Sequence, residues 1–135
     1  MYLNKLLIKG YKAFKDEMII SFDKGLNVLV GENSTGKSTV IDAIRLILFE
    51  DEYSRLGIVD SDFYTDFHTN TPVDEIQIKC KFTDLSDEQK VIYLTWLDDR
   101  QDAQLNLNIQ NKHDNRGKFK RDIWGGVSKN SFFEW

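Results

Sequence analysis

The stretch Leu26-Asn27-Val28-Leu29-Val30-Gly31-Glu32-Asn33-Ser34-Thr35-Gly36-Lys37-Ser38 decides the fold of this chain. Its second part, from Gly31 to Ser38, matches the pattern G-x-x-x-x-G-K-[ST] of a phosphate-binding loop. The short apolar run before the loop predicts a buried strand. From Lys37 onward, apolar residues recur at spacings of three and four, which predicts a helix. A strand, a glycine-rich loop and a helix in this order are the context that the motif needs, so the segment predicts nucleotide binding.

The residue types in the motif explain how it would hold ATP with Mg²⁺. Glycines let the backbone approach the phosphates closely, and the helix that follows directs its positive N-terminal end at them. Lys37 would place its ammonium on the β- and γ-phosphates, and the Ser38 hydroxyl would bind Mg²⁺. The residues that we assign to nucleotide binding in this segment are Gly31, Asn33, Ser34, Thr35, Gly36, Lys37, Ser38 and Thr39.

The rest of the chain reads as a mixed α/β layout. The predicted strands are residues 2–9, 18–22, 26–30, 76–82, 105–109 and 119–124, the last two joined by a turn at 114–117. A helix is predicted from Ser86 to about Leu97, because Ser86 has the chemistry of an N-cap. The apolar face of the motif helix is predicted to be Val40, Ile41, Ile44, Ile47 and Leu48. The fold class is therefore a P-loop α/β fold with a mixed sheet and an antiparallel portion.

Composition limits the other classes of protein. The 135 residues carry a formal charge of −4, so no overall positive field draws this segment to nucleic acid. The single cysteine, Cys80, lies at an apolar strand position and excludes a disulfide within the chain. The N-terminal apolar run is too short for a signal peptide or a membrane span. We therefore expect a cytoplasmic protein that begins at its natural N-terminus.

The first fifty residues resemble the start of ABC-type ATPase heads in the SMC and RecF group. The resemblance rests on Leu7-Ile8-Lys9-Gly10-Tyr11-Lys12-Ala13-Phe14-Lys15 and on the phosphate loop with its preceding strand. That group has a segment of type I-x-N-F-R-S-F before the loop, so Lys12 stands where arginine is usual. The resemblance implies that Lys12 supplies a cation near the nucleotide, without the fork of an arginine.

Later segments narrow the resemblance to the OLD family (overcoming lysogenization defect). They are residues 58–64, the strand at 75–82 and Ile123-Trp124-Gly125-Gly126. No heptad pattern appears here, whereas an SMC protein would run toward a coiled-coil arm. The resemblance implies an ATPase head joined to a Toprim nuclease, acting on DNA in anti-phage defence or DNA processing. It also implies a homo-oligomer through the heads, a partner defence protein and no role at a membrane.

The sequence lacks several parts that such a protein needs for catalysis. Residues 39–135 contain no Walker B strand ending in Asp-Glu, no signature loop and no Toprim carboxylates. We therefore assign no catalytic residue to this segment, and residues 1–135 are expected to be the incomplete N-terminal part of an ABC-type ATPase domain. The alternatives are a RecF- or SMC-like clamp ATPase without a nuclease, a small metabolite kinase, and a module that binds ATP without turnover.

Other polar residues are expected to be structural or solvated. Asp60 and Asp62 are predicted to face solvent, as acidic loop residues usually do. His68 and His113 have no partner at metal-ligand spacing, so neither supports a zinc site. A basic group near the hairpin is predicted to be a solvated face rather than a DNA contact. Its members are Lys112, Arg116, Lys118, Lys120 and Arg121.

Overall fold

The structure, a computed structural model, contains five β-strands and two α-helices, besides two short 3-10 turns, in the part of the chain that it describes. It describes residues 1–12, 14–24, 37–48, 59–113, 115, 117 and 119–127, with Lys37 and Ser38 described by their backbone alone. The elements are β1 (Tyr2–Lys9), β2 (Met18–Ser21), α1 (Lys37–Leu48), β3 (Glu75–Thr83), α2 (Asp87–Ile92), β4 (Ala103–His113) and β5 (Phe119–Gly125). Within these ranges, no helix combines the length and apolarity needed to cross a membrane.

The five strands form one sheet in the order β2-β1-β3-β4-β5, and every neighbouring pair is antiparallel. Ile8 lies opposite Ile78, which in turn lies opposite Leu107, so alternate apolar residues share one face of the sheet. The predicted strands at 2–9, 18–22, 76–82, 105–109 and 119–124 are thus confirmed to within a few residues. The predicted strand at 26–30 lies outside the described residues, so the sheet seen here is the antiparallel portion of the predicted fold.

The hydrophobic core lies between this sheet face and α1. Cys80 is buried at its centre, and burial raises the pKa of its thiol to about 12. The buried residues are Leu6, Ile8, Ile76, Ile78, Cys80, Leu105, Leu107 and Ile109 from the sheet, Val40, Ala43, Leu46 and Ile47 from α1, and Tyr11 and Phe63 from the connections. The core therefore fixes α1, which carries the end of the phosphate-loop motif, against the sheet.

The face that α1 buries differs in part from the prediction. Val40 and Ile47 are buried as expected, but Ile41 is 41% exposed and Leu48 is 37% exposed. Ala43 and Leu46 are buried in their place. The helix is apolar around much of its circumference, so periodicity alone does not distinguish between two adjacent faces. The position of the sheet selects the face that contains the small residue Ala43.

The helix predicted from Ser86 begins as expected and ends early. The Ser86 side chain accepts a hydrogen bond from the Gln89 amide at 3.2 Å, and the Gln89 side chain caps the Ser86 amide in return. The α-helix stops at Ile92, and a short 3-10 turn at Leu94–Trp96 follows, so the prediction of a helix to Leu97 is wrong. This turn packs the Trp96 indole on Gly125, at a place where any side chain would overlap it.

Candidate nucleotide-binding site

The N-terminus of α1 is the described part of the predicted phosphate site. The helix begins at Lys37, within the motif, and its first turn contains no acidic residue. Unpaired backbone N–H groups and the positive end of the helix dipole therefore meet no competing carboxylate from the first turn of the helix. These features fit a polyphosphate, and Ser38 in the same turn offers the oxygen type that Mg²⁺ prefers.

The other predicted residues of the motif have different outcomes. Thr39 lies in the first turn of α1 and is buried, with 6% of its surface exposed. The remaining positions lie outside the described residues, and their roles stay predictions. They are Gly31, Asn33, Ser34, Thr35 and Gly36.

Lys12 reaches α1 through a direct ion pair. Its Nζ atom lies 2.7 Å from Oδ2 of Asp42, which is on α1 five residues after Lys37. Oδ1 of Asp62 lies 3.9 Å from the same nitrogen. Both Lys12 and Asp42 side chains are 34% exposed, so the pair is partly shielded from solvent. The structure therefore places the predicted cation beside the motif helix, with two carboxylates around it.

The backbone around Lys12 is held in an unusual conformation. Lys12 has a φ of 48°, in the left-handed region that residues other than glycine rarely adopt. Its amide donates to the Asp62 carbonyl at 2.8 Å, and the Tyr64 amide donates to the Gly10 carbonyl at 2.9 Å. Between these two bonds, Tyr11 pairs with Phe63 in a single antiparallel bridge. The turn after β1 is thus fastened to residues 62–64, and this fixes the start of the Lys12 side chain.

The charges near this turn shift two pKa values. Burial lowers the pKa of the Lys12 ammonium, but its hydrogen bond to Asp42, the tyrosinate form of Tyr11 and the charges of Asp42 and Asp62 outweigh burial and raise it. Burial raises the pKa of the Tyr11 hydroxyl to about 12, against the lowering effect of Lys12. Lys12 therefore stays charged and Tyr11 stays neutral throughout the physiological range of pH.

Two of these contacts correct expectations from the sequence. The Asp62 side chain is only 16% exposed, because it accepts the Val59 amide at 2.9 Å and lies near Lys12. The prediction that Asp62 faces solvent is therefore wrong. Asp42 was not identified from the sequence as a partner of Lys12. The only hint in the sequence was that Asp42 is an acidic residue at the edge of the apolar face of the helix.

The basic group of the hairpin divides in the structure. Nη2 of Arg121 donates to the Leu46 carbonyl at 3.2 Å, so Arg121 binds an end carbonyl of α1 instead of facing solvent. A cation at a helix C-terminus also interacts favourably with the helix dipole. Lys112 and Lys120 are exposed, as predicted, while Arg116 and Lys118 lie outside the described residues.

The histidines and Asp60 make other contacts, separate from the ion pairs of Lys12. The His113 ring packs against the Phe119 ring at a tilt of 43°, with ring centroids 4.4 Å apart, and its Nε2 lies 3.7 Å from Oδ1 of Asp60. The Asp60 side chain is 84% exposed, as predicted. His68 contacts Phe67 edge to face, with ring centroids 5.6 Å apart.

The sequence of this chain matches a known family of ATPase domains. A family model described as AAA ATPase domain matches residues 1–130. The chromosome partition protein Smc of Chlorobaculum tepidum is 50% identical over 50 residues, which cover 37% of this chain and 4% of that protein. The chain therefore matches only a small fraction of the length of such curated relatives.

Two solved structures share the fold. An SMC ATPase, solved in a study of ATP-driven dimerization and DNA-stimulated activation, superposes with a TM-score of 0.63 at 20% identity, over 97% of this chain and 74% of that one. The SMC head domain from Thermotoga maritima gives a TM-score of 0.61 at 20% identity, over 93% of this chain and 38% of that one. These structures confirm the predicted fold class of an ATPase half-head. The family model and the Smc relative support the SMC/RecF-like ATPase group. The OLD family, the nuclease and antiviral defence stay predictions from the resemblance.

Proposed function

Because the chain belongs to the AAA ATPase domain family, we propose that it binds ATP with Mg²⁺ as the nucleotide-holding half of an SMC- or RecF-like ATPase head. The observation that carries this proposal is the start of α1 at Lys37, at the end of the glycine-rich motif, with no acid in its first turn. Lys12 adds a second cation beside the same helix. Bound ATP with Mg²⁺ would supply the phosphoryl group for hydrolysis; the residues of this chain bind and orient it.

We further propose that the protein containing this chain acts on DNA and brings two heads together around ATP. The support is the likeness in fold to SMC heads, one of them studied for ATP-driven dimerization and DNA-stimulated activation. We prefer this reading to an OLD-type nuclease because a curated relative with 50% identity over 50 residues is an Smc protein. The DNA partner and the second head belong to this proposal alone.

Replacing the motif lysine tests the proposal. Lys37→Ala should abolish measurable binding of ATP with Mg²⁺, a loss of roughly a hundredfold or more, because several charge-assisted contacts to phosphate disappear. Isothermal titration calorimetry measures the affinity, and circular dichroism checks that the fold is intact.

The matched control is Lys79→Ala. Lys79 is exposed on β3, at alternate positions from the buried Ile78 and Cys80, so its loss removes the same charge from the sheet face that points away from α1. This variant should bind ATP like the unmodified chain. Equal affinity for ATP in the Lys37→Ala variant and the unmodified chain would refute the assignment of the phosphate site.

A further inference from the structure

Lys12, Asp42 and Asp62 connect three separate segments beside the proposed nucleotide site. Lys12 lies in the turn after β1, Asp42 on α1 and Asp62 in the 3-10 turn at Asp60–Asp62. The Lys12 ammonium bonds Asp42 at 2.7 Å, and its backbone amide bonds the Asp62 carbonyl at 2.8 Å. Both ends of the lysine are thus held, although a lysine side chain in solution moves freely among many rotamers.

We propose that Asp42 is a positioning residue that holds the Lys12 ammonium in place to contact the phosphates of the nucleotide. This inference rests on the proposed function. Asp42 follows Lys37 by five residues, which is about 7.5 Å along the helix axis. Side chains on a helix tilt toward its N-terminus, so the Asp42 carboxylate holds the ammonium alongside the first turns of α1.

The hydrogen-bonding capacity of the ammonium supports this role. A lysine ammonium has three N–H donors. Asp42 accepts one of them, and the Asp62 carboxylate at 3.9 Å is beyond hydrogen-bonding distance. Donors therefore remain for a phosphate oxygen while the ion pair stays intact. Asp42 restricts the rotamers of the Lys12 side chain before the nucleotide binds. Less conformational entropy is then lost on binding, so the contact with phosphate strengthens the affinity.

A purely structural ion pair would behave differently. The carboxylate of Asp42 by itself repels phosphate, so its removal should tighten binding if Lys12 makes no contact with the nucleotide. If Asp42 acts through Lys12, its removal should weaken binding, and the effect should vanish once Lys12 is gone. The sign of the change and its dependence on Lys12 therefore separate the two roles.

The experiment is a double-mutant cycle on the 135-residue chain, with Asp42→Asn, Lys12→Met and the double variant. Calorimetry gives the affinity for ATP with Mg²⁺, and urea unfolding without nucleotide gives the stability of each variant. We expect each single variant to lose roughly tenfold in affinity, and the double variant to lose no more than Lys12→Met. Lys12→Arg should retain most of the affinity, because it keeps the charge and can still reach Asp42.

Asp84→Asn is the matched control. Asp84 pairs with Lys24 at 3.2 Å, and both side chains are exposed, so the substitution makes the same change of charge in another lysine–aspartate pair. It should leave the affinity for ATP unchanged.

The possible results separate this inference from the proposed function. Unchanged or tighter binding by Asp42→Asn would overturn the inference alone, as would a loss that simply adds to that of Lys12→Met. If the unmodified chain bound no ATP, or bound it as well after Lys37→Ala, both the proposed function and the inference would be overturned.

Discussion

Gly10 begins the turn that leads from β1 to Lys12, and replacing it with alanine should destabilise the chain strongly. Gly10 has a φ of 74°, and a Cβ at this position would overlap the Glu75 carbonyl oxygen and touch Cγ2 of Val73 at 3.1 Å. Gly117 has almost the same φ, 76°, and among the described residues, its chain neighbours aside, no atom lies within 4 Å of a Cβ built there. The two glycines therefore share a backbone conformation and differ in the space around them.

This difference sets the expected magnitudes. An alanine in the left-handed region costs about 1–2 kcal/mol, partly offset by about 0.4–1 kcal/mol because the unfolded chain loses freedom. Gly117→Ala should therefore lower the free energy of unfolding by about 1.6 kcal/mol at most. At Gly10 the overlap is with backbone, so the chain must move and the Tyr64–Gly10 hydrogen bond weakens. Gly10→Ala should therefore cost about 2–4 kcal/mol.

Urea unfolding followed by circular dichroism measures both variants against the unmodified chain. The free energies of unfolding are compared only if the slope of free energy against urea concentration is the same in each variant, because an equal slope indicates equivalent unfolded states. Equal losses for the two variants, within about 0.5 kcal/mol, would refute the reasoning, because the close approach to Glu75 would then have no energetic effect. A larger loss at Gly117 would refute it too.

Two further predictions concern the metal and pH. Ser38→Ala should keep much of the metal-free nucleotide binding but weaken its dependence on Mg²⁺, because the hydroxyl is a metal ligand while loop amides still hold the phosphates; a Mg²⁺ titration at fixed ATP measures this. Burial raises the pKa of Asp98, but hydrogen bonds from the Asp102 amide, Lys81 and the Arg100 amide outweigh it and hold that pKa below its usual 3.8. The Asp98 carboxylate therefore stabilises the fold above pH 3.8, and this stabilisation is lost as the pH falls and the carboxylate is protonated. The difference in urea midpoint between the unmodified chain and Asp98→Asn should be wide at neutral pH and narrow near about pH 3. The exposed control Asp99→Asn should differ little from the unmodified chain at either pH.

The sheet and the motif helix could be predicted because their sequence patterns are local. In β3, Ile76, Ile78 and Cys80 alternate with polar residues, and this period of two specifies a strand with one buried face. The start of α1 follows from the position of Lys37 in the motif. Each of these features depends on neighbours a few residues apart, so the sequence carries the signal directly.

The contacts between distant segments could not be predicted. Lys12 and Asp42 are 30 residues apart, and no local pattern connects them. Arg121 binds the Leu46 carbonyl from 75 residues away, although its sequence context is that of a solvated hairpin. On α1, two adjacent apolar faces were equally compatible with the periodicity, and packing on the sheet decided between them. The motif could therefore be predicted from its pattern, and Lys12 was expected from the resemblance, but the partners of Lys12 were not predictable.

The central claim is that this chain binds ATP as half of a head, and that hydrolysis needs groups from elsewhere. Calorimetric titration with ATP and Mg²⁺, followed by steady-state phosphate release from the same sample over a series of protein concentrations, tests it most directly. Phosphoryl transfer requires groups that orient the attacking water and stabilise charge on the γ-phosphate. We predict that the 135-residue chain binds ATP and releases phosphate only at the background rate. Robust turnover that does not depend on protein concentration, or a failure to bind ATP, would contradict the account.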